Sequence, residues 1–266
     1  MAAFRRTCKD SAARRGRNRL QVCAASIHFL DFGLRLHPSV KGGSAGSIPR
    51  NLLVSFGLRP MRPERIPLFP LNVVLFPGEQ LPLHIFEPRY RRMVRECLEA
   101  KSPFGMLLAL PNGVVRVGCT AEILEVVKKY EDERMDILTM GREPFRILEL
   151  FTGDPLLQGQ IDYLEDRDLP LEAPSRQRLI EAYETCHTLL FSEMLRNFEG
   201  IASEQLAYAI AAALPIDLLW KQQILELRSE AERQERLLAY LRDWAPHLQK
   251  AEALRQRAGG NGRGLN

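Results

Sequence analysis

RIPLFPLNVVLFPGEQLPLHIFEPRYRRMVR, residues 65–95, is the most informative stretch of this 266-residue sequence. It opens with an apolar run, Ile66 to Phe76, that contains Pro67 and Pro70. Because proline has no N–H to donate to a sheet, the run is predicted to be an extended edge segment rather than a helix or a central strand. The Pro-Gly pair at 77–78 then indicates a turn.

The second half of this stretch predicts a strand followed by a helix. Residues 80–86 alternate in character, with Leu81, Leu83 and Ile85 on one face, which is the period of a half-buried strand. Glu87 and Pro88 suit the first turn of a helix, where proline is tolerated and a carboxylate is favoured by the helix dipole. One apolar stripe with helical spacing follows, formed by Tyr90, Met93, Val94, Cys97 and Leu98. We therefore expect this helix to belong to the core.

These residues resemble the opening signature of the Lon N-terminal domain, the substrate-recognition part of Lon proteases, which also occurs without the protease. Further blocks with this resemblance are VGCTAEILEV (117–126), RMDILTMGREPFRILEL (134–150) and LPIDLLWKQQILEL (214–227). The resemblance covers roughly residues 64–245 of the chain. One departure is Pro144, which stands where the family's GRxRF pattern has a basic residue, and it leaves the local strand pairing open.

The resemblance implies an α+β fold: a PUA-like β pseudobarrel with one inserted helix, followed by a C-terminal helical bundle. It also implies a stand-alone Lon domain without the AAA+ motor or the protease domain. The family signature falls on a set of residues that we expect to be mainly structural: Pro70, Pro77, Gly78, Phe86, Glu87, Arg89, Tyr90, Gly141, Arg142 and Phe145.

Charge and periodicity divide the chain into four parts. Residues 1–60 hold 11 Lys/Arg and 2 Asp/Glu and are predicted to be a disordered basic extension. The alternatives are an over-long translation start, with Met61 as the alternative start, or a targeting or nucleic-acid-binding arm. Residues 61–166 form the β domain and 172–257 the helical bundle, while 258–266 are a glycine-rich tail that we expect to be disordered.

Short strands and amphipathic helices fill the two folded parts. Strands are predicted at 104–110, 114–117, 121–129, 134–140, 144–150 and 158–164. Helices are predicted at 175–198, 204–213 and 217–228 and from 229 onward, with Ser203 and Ser229 as caps. Pro246 should kink or end the last helix.

The sequence lacks the motifs of the common catalytic centres. It contains no GxxxxGK[ST], GxSxG or HExxH, and no Ser-Lys protease centre. The five cysteines are scattered and make no CxxC, which favours a reducing, cytoplasmic location over disulfides or zinc. We therefore predict no enzyme activity, no cofactor, no metal site and no membrane partner. His84 with Glu87, and Cys186 with His187, are interpreted as structural rather than as acid/base or nucleophilic pairs.

The leading hypothesis for function is a non-enzymatic module for protein quality control that binds unfolded or apolar polypeptide segments. The residues predicted to line an exposed apolar groove for them are Leu75, Phe76, Pro77, Leu81 and Met106. One alternative is an adaptor that docks a separate protease or chaperone. Another is a PUA-like RNA-binding module that uses the arginines at 89, 91, 92 and 95, although the net negative charge of residues 61–266 makes nucleic acid an unfavourable partner.

Overall fold

The computed structural model describes residues 62–152, 156–167, 173–191 and 196–260. In this part of the chain the strands are β1 (Arg65–Leu71), β2 (Gln80–Ile85), β3 (Phe104–Leu110), β4 (Gly113–Val114), β5 (Val117–Lys129), β6 (Met135–Phe151) and β7 (Gln158–Tyr163). The helices are α1 (Pro88–Ala100), α2 (Ala173–Leu190), α3 (Leu206–Ala213), α4 (Leu218–Glu226) and α5 (Glu230–Gly260), with a 3-10 turn at Ser203–Gln205.

Five strands close into a barrel. β1 pairs antiparallel with β7 and parallel with β3, and the ring continues through β5 and β6 back to β7. β2 is joined to the ring through β6, and β4 through β3. This closed sheet, the single helix between β2 and β3, and the helices that follow β7 confirm the predicted α+β fold.

The prediction of an edge segment at the start of the barrel is wrong, because β1 is the strand that closes the ring. Its first half, Arg65–Pro67, pairs with β7, and its second half, Leu68–Leu71, pairs with β3. Each half is thus paired along one side. A half-strand with one paired side tolerates a residue without an N–H, so Pro67 and Pro70 are compatible with this place.

β6 is one strand of 17 residues where the sequence pattern indicated two. Its first half pairs with β5 and β2, and its second half with β5 and β7. Pro144 does not interrupt it: this residue pairs with Cys119, and its carbonyl accepts the N–H of Leu164 at 2.9 Å. A bulge in β5 lies beside it, where the Glu143 N–H donates to the Thr120 hydroxyl at 3.0 Å.

The barrel and the helices share a core. The α1 stripe is buried as predicted except for Leu98, which is exposed. Phe76 stacks on Tyr208 of α3 with ring centroids 5.3 Å apart, and Ile224 and Leu225 of α4 join the same apolar cluster. The β domain and the helices are therefore in direct contact.

The helix ends differ from the predictions in three places. α2 ends at Leu190, eight residues before the predicted end, and Ser203 begins the 3-10 turn rather than capping α3. The Ser229 cap is confirmed, since its hydroxyl accepts the Glu232 N–H at 3.2 Å. Pro246 lies inside α5, which continues to Gly260 and so includes the first residues of the predicted tail.

The predicted extension 1–60, Met61 and residues 261–266 lie outside the described residues. Among the residues that are described, none of the helices combines the length and the apolar character that crossing a membrane requires.

Candidate polypeptide-binding surface

The structure corrects the predicted groove. Leu75, Phe76 and Met106 are buried in the barrel core, where they pack against other apolar side chains and cannot contact a ligand. Pro77 is half-buried and borders a pocket of about 310 Å³ between barrel and helices. Leu81 is also half-buried and packs against the barrel core. These five residues therefore do not form one open surface.

The Pro77–Glu79 turn explains two signature residues. The Gly78 N–H donates to the Gly141 carbonyl at 2.8 Å, and the Gly141 N–H donates to the Glu79 carbonyl at 2.9 Å. Gly78 has φ of 77°, which favours glycine. A Cβ on Gly141 would lie 2.1 Å from the Phe76 carbonyl oxygen, so β6 can approach this turn only with glycine at that position.

Most of the other signature side chains also have structural contacts. Phe145 is fully buried, Glu87 bonds the Arg89 guanidinium at 2.8 Å, and Arg142 pairs with Glu122 at 2.5 Å. Phe86 differs in being an apolar side chain that is 45% exposed. Phe86 therefore belongs to the surface of the barrel rather than to its core.

Phe86 lies at the end of a three-stranded part of the sheet, in which the first half of β6 pairs with β2 on one side and with β5 on the other. The register aligns Pro82, Leu138 and Glu125 in one row across these strands. Paired residues share a face, so each row places its side chains on the same side of the sheet. We call this outer surface the distal face and define it by Pro82, His84, Phe86, Tyr130, Leu138 and Met140.

One end of the distal face is aromatic and polar. His84 Nδ1 lies 2.6 Å from Asp136 Oδ1, and the Tyr130 hydroxyl donates to Asp136 Oδ2 at 2.8 Å. The His84 ring is 6.1 Å from that of Phe86 and 5.8 Å from that of Tyr130. Burial acts to raise the pKa of Asp136, but hydrogen bonds from His84 and Tyr130 outweigh it and lower the pKa. His84 is thus anchored by Asp136 rather than by Glu87.

The arginines of α1, considered above for RNA binding, are paired with groups of the protein itself. Arg92 bonds Glu96 at 2.7 Å, and Arg95 lies 3.7 Å from Glu133. Arg91 donates to the Asp132 carbonyl and lies 3.8 Å from Glu133, while Arg89 is held by Glu87 as described above. These ion pairs reduce the positive charge that the helix presents to a phosphate backbone.

The described cysteines are unsuited to nucleophilic chemistry. Cys97, Cys119 and Cys186 are all buried, and burial raises the pKa of each thiol, in Cys97 to about 11. In the described ranges, no group of three or more His, Cys, Asp or Glu side chains is placed to hold a metal ion.

Comparison with known proteins identifies the family. The model of the substrate-binding domain of the ATP-dependent protease La (LON) matches residues 65–243, which is well over half of the chain. This chain belongs to the Lon substrate-binding domain family. The family is named for binding a substrate rather than for catalysis, so the distal face is considered below as a binding surface.

Individual relatives resemble this Lon substrate-binding domain over part of their length. The chain is 28% identical to the Lon protease of Escherichia coli (strain K12) over 221 residues, which are 75% of this chain and 28% of that protein. It is 33% identical to the Lon protease of Parabacteroides distasonis over 112 residues, 39% of this chain and 14% of that protein. It is 33% identical to Protein cereblon of Xenopus tropicalis over 121 residues, 43% of this chain and 27% of that protein. The chain thus spans less than a third of these relatives.

A solved structure agrees with this Lon assignment. The Lon N-terminal domain protein from Xanthomonas campestris superposes with a TM-score of 0.54 at 26% identity, over 66% of this chain and 98% of that chain. Sequence reasoning placed Phe86 in the signature but did not identify the distal face, because the rows across it depend on the register between β2 and β6. The alternation of residues 80–86 was the available signal for the outward direction of Pro82 and His84.

Proposed function

We propose that this Lon substrate-binding domain binds unfolded or apolar polypeptide segments through its distal face and performs no chemistry of its own. The observation that supports this proposal is the exposed Phe86 ring at the end of a sheet surface that also contains Pro82, Leu138 and Met140. Apolar side chains on an open sheet can accept many sequences, because flat surfaces and methionine impose few steric demands.

The binding mode that fits this surface is an extended segment lying across the strands. Pro82 is exposed, and Leu138 and Met140 are half-buried, so the surface offers apolar area without a deep pocket. Glu122 and Glu125 of β5 border the face, which disfavours acidic segments through charge repulsion. The expected clients are therefore apolar or weakly basic segments of unfolded chains.

The proposal also includes a cellular location and a partner. The buried thiols of Cys97, Cys119 and Cys186 suit a reducing compartment such as the cytoplasm. A protease or chaperone that acts in trans is the partner that would use bound clients. The proteolytic activity of the relatives named Lon protease is attributed to those proteins and is not proposed for this domain.

Fluorescence anisotropy tests the proposal. A labelled, permanently unfolded polypeptide is titrated with the full chain at low and at high salt, and again with an RNA competitor. We expect micromolar binding that persists at high salt and in the presence of RNA, because burial of apolar surface is insensitive to the screening of charges. Binding that salt abolishes or RNA displaces would instead favour the arginines of α1.

The choice of client provides the second control. A polypeptide of equal length and net charge, with its apolar residues replaced by Ser and Gly, should bind at least about tenfold more weakly, since it offers little apolar area to bury. Equal affinity for the two polypeptides, or no binding of either, would contradict the proposal. In the latter case the adaptor role would be tested next by co-purification with a defined partner.

A further inference from the structure

The distal part of β5 is a free strand edge in the part of the chain that the structure describes. β5 pairs with β3 at Cys119–Ala121, and from Glu122 to Lys129 it pairs with β6 alone. Leu124, Val126 and Val127 on this edge are 39%, 40% and 47% exposed. An edge with exposed apolar side chains and unpaired backbone groups is suited to pairing with another strand.

The order of residues along this edge is self-complementary. Residues 125–128 read Glu-Val-Val-Lys. If two copies run antiparallel about a two-fold axis between Val126 and Val127, Glu125 of each copy lies opposite Lys128 of the other. In the two central rows, Val126 of each copy lies opposite Val127 of the other. Opposite charges at the ends and apolar pairs in the centre are the combination that stabilises adjacent strands.

The pairing of β5 with β6 shows that Glu125 and Lys128 lie on the same side of the sheet, as this arrangement requires. Glu125 is aligned with Leu138 and Lys128 with Asp136, two positions of β6 that are two residues apart and therefore share a face. Glu125 and Lys128 thus both lie on the outer side of the sheet. A two-fold axis perpendicular to the sheet keeps outer residues on the outer side, so each Glu125 meets a Lys128 without a reversal of faces.

Both charged groups are available for such a contact. Glu125 and Lys128 are both exposed, and the Lys128 ammonium lies 4.5 Å from the centre of the Tyr130 ring. Two bulges interrupt the pairing of β5 with β6, at Ile123/Glu125 and at Val126/Lys128. The second bulge adds Val127 to β5, and this extra residue is the reason that Glu125 and Lys128, three positions apart in the sequence, lie on the same side of the sheet.

We propose that this edge pairs with the same edge of a second copy of the chain and forms a two-fold symmetric dimer. The two sheets become continuous across the axis, and their distal faces lie side by side on one surface. The dimer and the proposed polypeptide binding use neighbouring residues, since Glu125 and Lys128 lie on the outer side of β5 beside the distal face. Each is therefore measured by its own experiment, sedimentation for the dimer and anisotropy for the polypeptide.

Sedimentation velocity over a range of protein concentrations tests the dimer, with the full chain and three charge variants. Wild type should shift from monomer to dimer as concentration rises. Glu125→Lys and Lys128→Glu each create two like-charge contacts and should raise the dimer dissociation constant at least about tenfold. The double variant Glu125→Lys/Lys128→Glu restores opposite charges and should return it to near the wild-type value.

The controls separate a specific interface from a general charge effect. Glu149→Lys makes the same charge change as Glu125→Lys at an exposed position of β6 and should leave the dimer dissociation constant unchanged. Circular dichroism checks that each variant is folded. A wild type that stays monomeric at all concentrations, or charge variants that dimerise like wild type, would overturn the proposal. Anisotropy with the unfolded polypeptide on the same samples distinguishes loss of the dimer from loss of client binding.

Discussion

Arg233 of α5 and Asp166, which follows β7, form an ion pair with two contacts that joins the helices to the barrel. Arg233 Nη1 donates to Asp166 Oδ1 at 2.9 Å, and Nη2 donates to Oδ2. The Arg233 side chain is fully buried, also bonds Glu230 at 2.7 Å and lies 4.3 Å from the centre of the Tyr208 ring. The interface between the two folded parts therefore contains a charged network as well as apolar packing.

Replacing Arg233 with alanine should destabilise the protein strongly. The change leaves the buried Glu230 carboxylate and Asp166 without their cation, and breaking a buried ion pair from one side costs about 3–5 kcal/mol. Urea unfolding measures the loss in the free energy of unfolding. Arg255→Ala is the matched control: this arginine pairs with Glu252 in an exposed part of α5, so its loss should cost no more than about 1 kcal/mol. Equal effects of the two changes would contradict the role of the network.

Replacing Gly141 with alanine should destabilise the barrel through a steric clash. The new Cβ would stand 2.1 Å from the backbone oxygen of Phe76, and backbone cannot move aside as a flexible side chain can. We expect a loss of about 1–3 kcal/mol or more, which thermal or urea unfolding would detect. Glu149→Ala, at an exposed position of the same strand, should change stability by less than about 0.5 kcal/mol. An unchanged midpoint for Gly141→Ala would show that the turn and β6 can separate at little cost.

Glu79 should make stability fall as pH rises. Its carboxylate accepts the Phe76 N–H at 2.9 Å. Burial raises the pKa of Glu79, against that hydrogen bond and the positive charges of Lys221 and Arg196. The folded state then holds the proton more tightly than the unfolded state. The contribution of Glu79 to the free energy of unfolding is therefore fully present below the ordinary pKa of glutamate. It is lost as the pH rises through the raised pKa of the folded state.

The variant Glu79→Gln isolates this effect in urea unfolding at a series of pH values. Its stability relative to wild type should increase from about pH 4 toward neutral, because the glutamine never ionises. Asp136→Asn provides a control of opposite sign. The lowered pKa of Asp136 stabilises the fold above the ordinary pKa of aspartate, so this variant should be less stable than wild type near neutral pH, and the difference should shrink in acid. A constant difference between Glu79→Gln and wild type at all pH values would contradict the raised pKa.

Replacing Phe86 with serine should weaken polypeptide binding with little effect on stability. The ring is nearly half exposed, so its removal costs the fold little, whereas truncating an aromatic side chain in a binding surface typically costs about 1–2 kcal/mol, or roughly 5–30-fold in Kd. Anisotropy with the unfolded polypeptide gives the Kd. Leu254→Ser removes an equally apolar side chain, 64% exposed on α5, and should leave the Kd unchanged. Equal affinities of both variants and wild type would show that clients bind elsewhere.

Local patterns were sufficient for several elements. β2, β3 and β7 lie where the sequence patterns predicted them, to within one residue, and α1 begins at Pro88, as the Glu87-Pro88 start predicted. These signals depend only on residues that are close together in the sequence, so they can be read without knowing how distant parts of the chain pair. Two of the failures, β1 as an edge and β6 as two strands, concern pairing partners that lie far away in the chain.

The sequence by itself therefore determined the family and the α+β class. The tertiary structure alone decided that Leu75, Phe76 and Met106 belong to the core, that Phe86 faces outward beside His84, and that Arg233 is buried between barrel and helices. Apolar side chains of core and surface look alike in a sequence, because burial depends on which distant strand or helix covers a residue. That covering is a property of the closed barrel and its packed helices rather than of any local stretch.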